Sequence, residues 1–363
     1  MDGISRTKEW FNNNFELARG GNNNYLAMEG LRGLAVVLVF LVHVNSIMLP
    51  WLSNNLTDSV LFSFITAWGH SGVDLFFILS GYLIYGSLVR AKSFSAIDYA
   101  YKRAKRILPT FYLVLVVYVL LHLTITKGMG RLPDGQELFP FMISQALLVP
   151  TLFGNEYLVE VSWSLTYEFA FYVVAPVILL GVGMKRLNSH LRVSVLLVVS
   201  VVGLAFFYNV VGPVRCMLFF SGMLIYELRD VQGKRIPNWL GVLGLVVASL
   251  FIGFNKEIGV NFVFAVSVMM LGYGALVFVS LSNPKGALRW LQWAPLRYLG
   301  NMSYSYYLAH GLLIHATMMA FGKFVEPSSD MVWMYIPTML MVFAVTLVGS
   351  AGLFLMFEKK VSL

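Results

Sequence analysis

Arg32 and His43 stand eleven positions apart in the otherwise apolar stretch LRGLAVVLVFLVHVNSIML, residues 31–49. At about 100° and 1.5 Å per residue, eleven positions bring a helix back to the same face after a rise of roughly 16 Å. One helix face then carries an anion-binding guanidinium and a proton-accepting imidazole at two depths. Imidazole suits acid–base work, because its ordinary pKa of about 6.5 lets it take up and return a proton near neutrality. Four more ionisable groups interrupt apolar runs: Asp74 in GVDLFFILSGYLIY, Glu168 in WSLTYEFAFY, Arg215, and His310 in GNMSYSYYLAH. Such groups are costly in hydrocarbon and mark function by default. Counted from the start of each run, His43 and His310 fall near mid-membrane, and Asp74, Glu168 and Arg215 fall in the outer half. That distribution implies one polar cavity opening outward. The plain alternative is pairing that holds the helices together, and it weighs more for Asp74 and Arg215 than for His43.

A second constellation is basic. The stretch FSAIDYAYKRAKRILPTFY places Lys102, Arg103, Lys105 and Arg106 just before an apolar run. Arginine suits phosphate because its planar fork donates two parallel hydrogen bonds, and Arg103 and Arg106, three apart, share a helix face. The two lysines are read as anchors to anionic headgroups. In SYSYYLAH, Tyr304, Tyr307 and His310 recur every third residue and share a face that either lines a substrate passage or packs against neighbouring helices. Ser80 and Gly81 are read as small residues that let membrane helices approach.

The elements that must position these groups follow from composition. The 363 residues are 58% hydrophobic and 12% charged, with mean hydropathy +0.74, against about 25% charged in soluble domains. The expected fold is an all-α integral membrane protein. Crossing roughly 30 Å of hydrocarbon takes about 20 apolar residues. Ten stretches qualify, near 31–49, 68–88, 107–126, 161–183, 191–211, 213–229, 239–254, 259–282, 303–325 and 332–357. The apolar segment 138–153 is short and proline-flanked, and is expected to be interfacial or re-entrant. With both termini cytoplasmic, all of the 26 basic residues except Lys127, Arg131, Arg215, Lys256 and Lys323 fall on the inner side, as positive-inside bias requires. The formal charge of +8 is thus topological, and no nucleic-acid module accompanies it. The expected organisation is a polar cytoplasmic tail over 1–27, a membrane domain over 28–358 and a short cytoplasmic tail over 359–363. Within the first tail an interfacial helix is expected around 10–17, no cleavable signal is recognised, and the Asn-rich NNNF and NNNY are read as solvated. The single cysteine, Cys216, excludes an intramolecular disulfide or a cysteine-cluster metal site, and no metal is expected.

Five pieces in order, MEGLRGLAVVLVFLVH, GVDLFFILSGYLI, KRAKRILPTFY, WSLTYEFAFY and GNMSYSYYLAHGLLI, resemble the membrane-bound acyltransferase family 3. These are bacterial inner-membrane proteins that acylate surface glycans and some small molecules. The resemblance covers most of the chain, with Glu29 standing where many members have aspartate, and no esterase-like domain is expected after the last span. It implies ten spans and an O-acyltransferase that moves an acyl group, acetyl foremost, from cytoplasmic acyl-CoA to an extracytoplasmic glycan such as O-antigen or exopolysaccharide. It also implies roles: Arg103 and Arg106 on coenzyme A phosphates, Arg32 at the cytoplasmic mouth, and His43 as base or acyl carrier. Glu168, in preference to Asp74, is expected to orient the imidazole in the manner of a hydrolytic triad. Tyr304, Tyr307, His310 and Arg215 are expected around the substrate. A proton-coupled transporter, or a glycan-export partner without acyl transfer, is the alternative, against which no repeat with paired broken helices is found. The identity of acyl group and acceptor, and whether the chain forms a homo-oligomer, stay open.

Overall fold

The computed structural model describes residues 2–17, 23–52, 54–124, 132–133, 137–181, 183–210, 212–231, 236–326 and 332–363. Arg19, Lys127, Arg131, Lys234, Arg235 and the side chain of Lys256 lie outside the described residues. Among those described there is no strand. The helices are α1 (Asp2–Phe15), α2 (Asn23–Met48), α3 (Val60–Arg90), α4 (Ala96–Thr124), α5 (Leu138–Ala146), α6 (Trp163–Pro176) and α7 (Ser189–Asn209). They continue with α8 (Leu218–Val231), α9 (Asn238–Gly253), α10 (Phe262–Ser282), α11 (Ala294–Asn301), α12 (Ser303–Phe321) and α13 (Tyr335–Leu353). Seven of these, α2, α3, α4, α6, α7, α10 and α13, are long and apolar enough to cross a membrane. Helices α8, α9 and α12 occupy the remaining three expected spans but are shorter or more polar. The chain is an all-α, multi-pass membrane protein.

Most of α3 is buried, whereas α7 exposes Val198, Val201, Val202 and Phe206. In lipid an exposed apolar face needs no further cover. The central helix is held by backbone contact: a methyl group added to Gly81 of α3 would lie 2.1 Å from Phe219 O, and one added to Gly222 of α8 would lie 2.0 Å from Ile78 O. Only glycine permits that approach. The Glu-Gly-Leu-Arg-Gly opening works the same way, since a methyl group at Gly30 would meet Leu291 O at 1.6 Å. The Glu29 carboxylate accepts from Arg297 Nε at 3.1 Å, tying α2 to α11.

Two regions depart from the sequence-based expectation. The first Asn run is only partly solvated: Asn13 is exposed, but Asn12 Oδ1 accepts from Tyr298 OH, Phe15 is buried against Phe354, and Lys359 donates to the carbonyls of Asn13 and Asn14. Its aromatic residues give α1 an apolar face, and that face docks on α11 and the end of α13. The second departure is the depth of α6. The Trp163 ring packs on Phe77, 6.4 Å between centroids, so α6 begins level with the middle of α3 instead of at its outer end. Segment 138–162 enters the protein to reach that level, with Leu148, Leu158, Val159 and Val161 buried. Its backbone is satisfied by short-range backbone bonds and, where those end, by side chains, as apolar surroundings demand. Gln145 takes the Leu158 N–H at 3.0 Å and donates to Glu156 O at 2.7 Å, and Thr166 donates to Leu148 O at 2.6 Å.

Candidate active site

Helices α2, α3, α4, α6 and α12 enclose a cavity of about 350 Å³. Its charged lining is Arg32, Arg90, Arg103, Arg106 and Glu168, four guanidiniums against one carboxylate. Helix α4 starts at Ala96, so the basic run lies inside it, not before it. The 3.6-residue period then sorts the run: Arg103 and Arg106 are half-buried toward the cavity, while Lys102 and Lys105 are exposed. Arg103 lies over the rings of Tyr99 and Tyr172, at 5.5 and 5.8 Å. Its Nε is buried with no hydrogen-bond partner among the described residues. A charged donor left in that state is destabilising and fits an anion entering the cavity. Arg32 donates from Nε to Ser303 Oγ at 3.1 Å.

Glu168 sits in this arginine-lined cavity, not in the outer half and not against His43. Its Oε1 accepts from Ser80 Oγ at 2.9 Å and Tyr172 OH at 2.6 Å, and Ser80 lies ten residues from Arg90. The mid-depth start of α6 is the physical reason. Nor does Asp74 reach the histidine. It is two residues beyond Gly72, the α3 residue that meets Ala35 of α2, and hence about 200° round the helix. There it is fully buried and bonded by Arg215 Nη1 at 2.9 and 3.1 Å. Arg215 also donates to His70 O at 3.1 Å and lines a different cavity, of about 390 Å³, with Thr66, Asn255 and Phe262. The single outward cavity holding all five intramembrane ionisable groups is therefore corrected to separate sites: arginines with Glu168, a histidine pair, and the Asp74–Arg215 ion pair.

His43 and His310 are brought together. Their rings meet edge to face, 4.7 Å between centroids at 90°. Helices α2 and α12 run parallel in this contact, pairing Arg32 with Ser303 at one level and His43 with His310 further out. Each imidazole is oriented by its own helix, with no carboxylate bonded to it among the described residues: His43 Nδ1 is 2.9 Å from Val39 O, and His310 Nδ1 is 2.7 Å from Tyr307 O. A carbonyl accepts only, so Nδ1 carries the proton and Nε2 is left as the basic nitrogen. Tyr304 and Tyr307 line the arginine cavity, but their hydroxyls are used in packing, on Ile107 O and Val161 O, each at 2.8 Å. Tyr307 is 5.8 Å from His310 between ring centroids, so the cavity ends one ring short of the histidine pair.

Sequence reasoning overlooked Ser80, Tyr172, Ser303 and Glu358. Tyr172, four residues after Glu168, was legible as an i, i+4 partner. Ser80 was read as a small packing residue, a role that only Gly81 fills. Glu358 is buried, accepts from Ser305 N at 3.0 Å and lies within electrostatic range of Arg106 and Arg32; nothing in its terminal position signalled this. The arrangement as a whole can hold a phosphorylated ligand at one end and accept a proton from a hydroxyl at the other.

A family model described as an acyltransferase domain matches residues 25–355. YrhL of Bacillus subtilis, whose name carries peptidoglycan O-acetyltransferase as a provisional assignment, is 27% identical over 319 residues, covering 78% of this chain and 47% of the relative. The peptidoglycan O-acetyltransferase OatA of Listeria monocytogenes is 25% identical over 328 residues, covering 80% and 49%. The O-acetyltransferase OatA of Staphylococcus aureus is 23% identical over 319 residues, covering 78% and 49%. The chain thus spans about half the length of the curated relatives it matches. No solved structure matches it.

Proposed function

We propose that this chain, which belongs to the acyltransferase-domain family matched over residues 25–355, is an O-acyltransferase of the bacterial inner membrane. It moves an acyl group, acetyl foremost, from cytoplasmic acyl-CoA to a hydroxyl of an extracytoplasmic glycan. One observation carries the reading: guanidiniums, including the buried and unpartnered Arg103 Nε, surround a cavity that ends one ring from the histidine pair. Phosphates of the donor sit among Arg90, Arg103 and Arg106, and the thioester arm runs along α3 and α12 past Tyr304 and Tyr307. His43, its Nδ1–H fixed on Val39 O, takes the acceptor hydroxyl's proton on Nε2 as the oxygen attacks the thioester carbonyl. The carbon–sulfur bond breaks and the proton passes to the leaving thiolate. The relatives' names favour peptidoglycan as acceptor over O-antigen or exopolysaccharide.

Purified protein in vesicles, given acetyl-CoA at the basic end and soluble peptidoglycan fragments opposite, should release coenzyme A thiol and acetylate the fragments. Replacing His43 with alanine should slow this by about 10²–10⁴-fold. Replacing Arg103 and Arg106 together should weaken acetyl-CoA binding by roughly 100-fold, since a charge-assisted hydrogen bond contributes about 1.5–3 kcal/mol. A His43→Ala protein with more than about a tenth of wild-type turnover, or a double arginine variant of unchanged affinity, would overturn the assignment.

A further inference from the structure

We propose that His310 is a second functional imidazole, which together with His43 takes up the single proton that the acceptor hydroxyl releases. The inference rests on the acyl-transfer reading above. His310 is fully buried on α12, with Nδ1 on the carbonyls of Tyr306 and Tyr307 at 3.0 and 2.7 Å. Its Nε2 is buried and has no hydrogen-bond partner among the described residues. A histidine kept only for packing has no use for such a nitrogen. The ring stacks on Tyr306 at 5.7 Å and 12°, and phenylalanine would stack equally well without an unpaired acceptor. His43 likewise holds Nδ1 on a carbonyl of its own helix, at 2.9 Å, so two basic nitrogens belong to rings in contact, and among the described residues no donor reaches that of His310. The hydroxyl that the reaction brings is the missing donor.

The step balances. The acceptor O–H bond breaks, its oxygen forms a bond to the acyl carbon, and the carbon–sulfur bond breaks. The proton stays on the pair until the thiolate sulfur takes it, giving free coenzyme A. Nothing is oxidised or reduced. An imidazolium edge against a neutral aromatic face is attractive, whereas two imidazoliums at 4.7 Å repel, so the pair suits one proton and not two. His310 needs no contact with the donor's phosphates, which are held on the far side of Tyr307.

The test is turnover per folded molecule in vesicles, with acetyl-CoA as donor. His310→Phe keeps the stack and removes Nε2. It should slow turnover by about 100-fold or more, as loss of an acid–base group does, with KM for acetyl-CoA within about twofold and the melting temperature little changed. Added imidazole should restore part of the activity of His310→Gly. The His43→Ala/His310→Phe double variant should be hardly slower than His43→Ala, as for residues acting in one unit. Should His310→Phe melt early, His310→Gln, which can accept a hydrogen bond but no proton, is measured in its place and should be equally slow. A His310 variant within threefold of wild type beside a slow His43→Ala overturns the pair and leaves the acyl-transfer reading standing. A wild-type protein that releases no coenzyme A thiol overturns both.

Discussion

Asp74 and Arg215 show what an intramembrane charge does when it is not at the reacting centre. The carboxylate is fully buried and receives two hydrogen bonds from one guanidinium nitrogen, and the arginine side chain keeps 19% exposure toward its own cavity. Breaking a buried pair by neutralising one partner costs on the order of 3 kcal/mol, because the other charge is left uncompensated. Asp74→Asn should therefore lower the melting temperature in detergent, with Arg215→Gln doing the same and the double variant recovering part of the loss. Turnover per folded molecule should stay within about threefold of wild type. A stable but inactive Asp74→Asn would return Asp74 to the chemistry. Among single residues, the structure gives Glu168 and Asp74 partners other than the histidine expected from the sequence. Spacing along one helix, which pairs Arg32 with His43 and Arg103 with Arg106, is a local property. The partner of Glu168 depends on where a different helix begins.

At the level of elements, the seam between α3 and α8 positions two sites at once. Helix α3 carries Ser80 toward Glu168 and, on another face, Asp74 toward Arg215, so any movement of this helix disturbs both. Gly81 touches the backbone of Phe219, and a methyl group there would stand 2.1 Å from its carbonyl oxygen. Backbone cannot swing aside as a side chain can, and forcing extra volume into a packed seam costs about 1–3 kcal/mol. Gly81→Ala should lower the melting temperature and also weaken acetyl-CoA binding, because the cavity wall moves with α3. Gly86→Ala meets first the ring of Tyr226, a side chain and not backbone, and should do less. Equal melting temperatures for the two variants would show that the seam is not closely packed.

Across the whole molecule, the arginine-lined cavity and the histidine pair lie in succession along α2 and α12. The proposal requires the basic end of this path to face the cytoplasm. Lysine and arginine bias predicts that orientation at each loop, which can be measured. In a Cys216→Ser background, cysteine placed at exposed Arg289 should react with a membrane-impermeant maleimide only after permeabilisation, and cysteine at Lys323 should react in intact cells. The reverse pattern would put the phosphate-binding end on the wrong side for cytosolic acyl-CoA.

The amino-acid sequence determined what depends on order along one segment. Apolar length set where helices form, charge bias set their expected direction, and helical period put Arg32 with His43 and separated Arg103 and Arg106 from their neighbouring lysines. Only the tertiary structure decided what depends on depth and on contact between segments far apart in the chain. It placed Glu168 with Ser80 because the inserted segment 138–162 lowers the start of α6. It turned Asp74 to Arg215 because α3 presents that residue on the face opposite α2. It brought His310 to His43 because α12 lies parallel to α2 in the right register. Helical periodicity specifies a face but not which helix that face will meet, and in lipid that choice rests on close backbone contacts and on polar groups that must each find a partner.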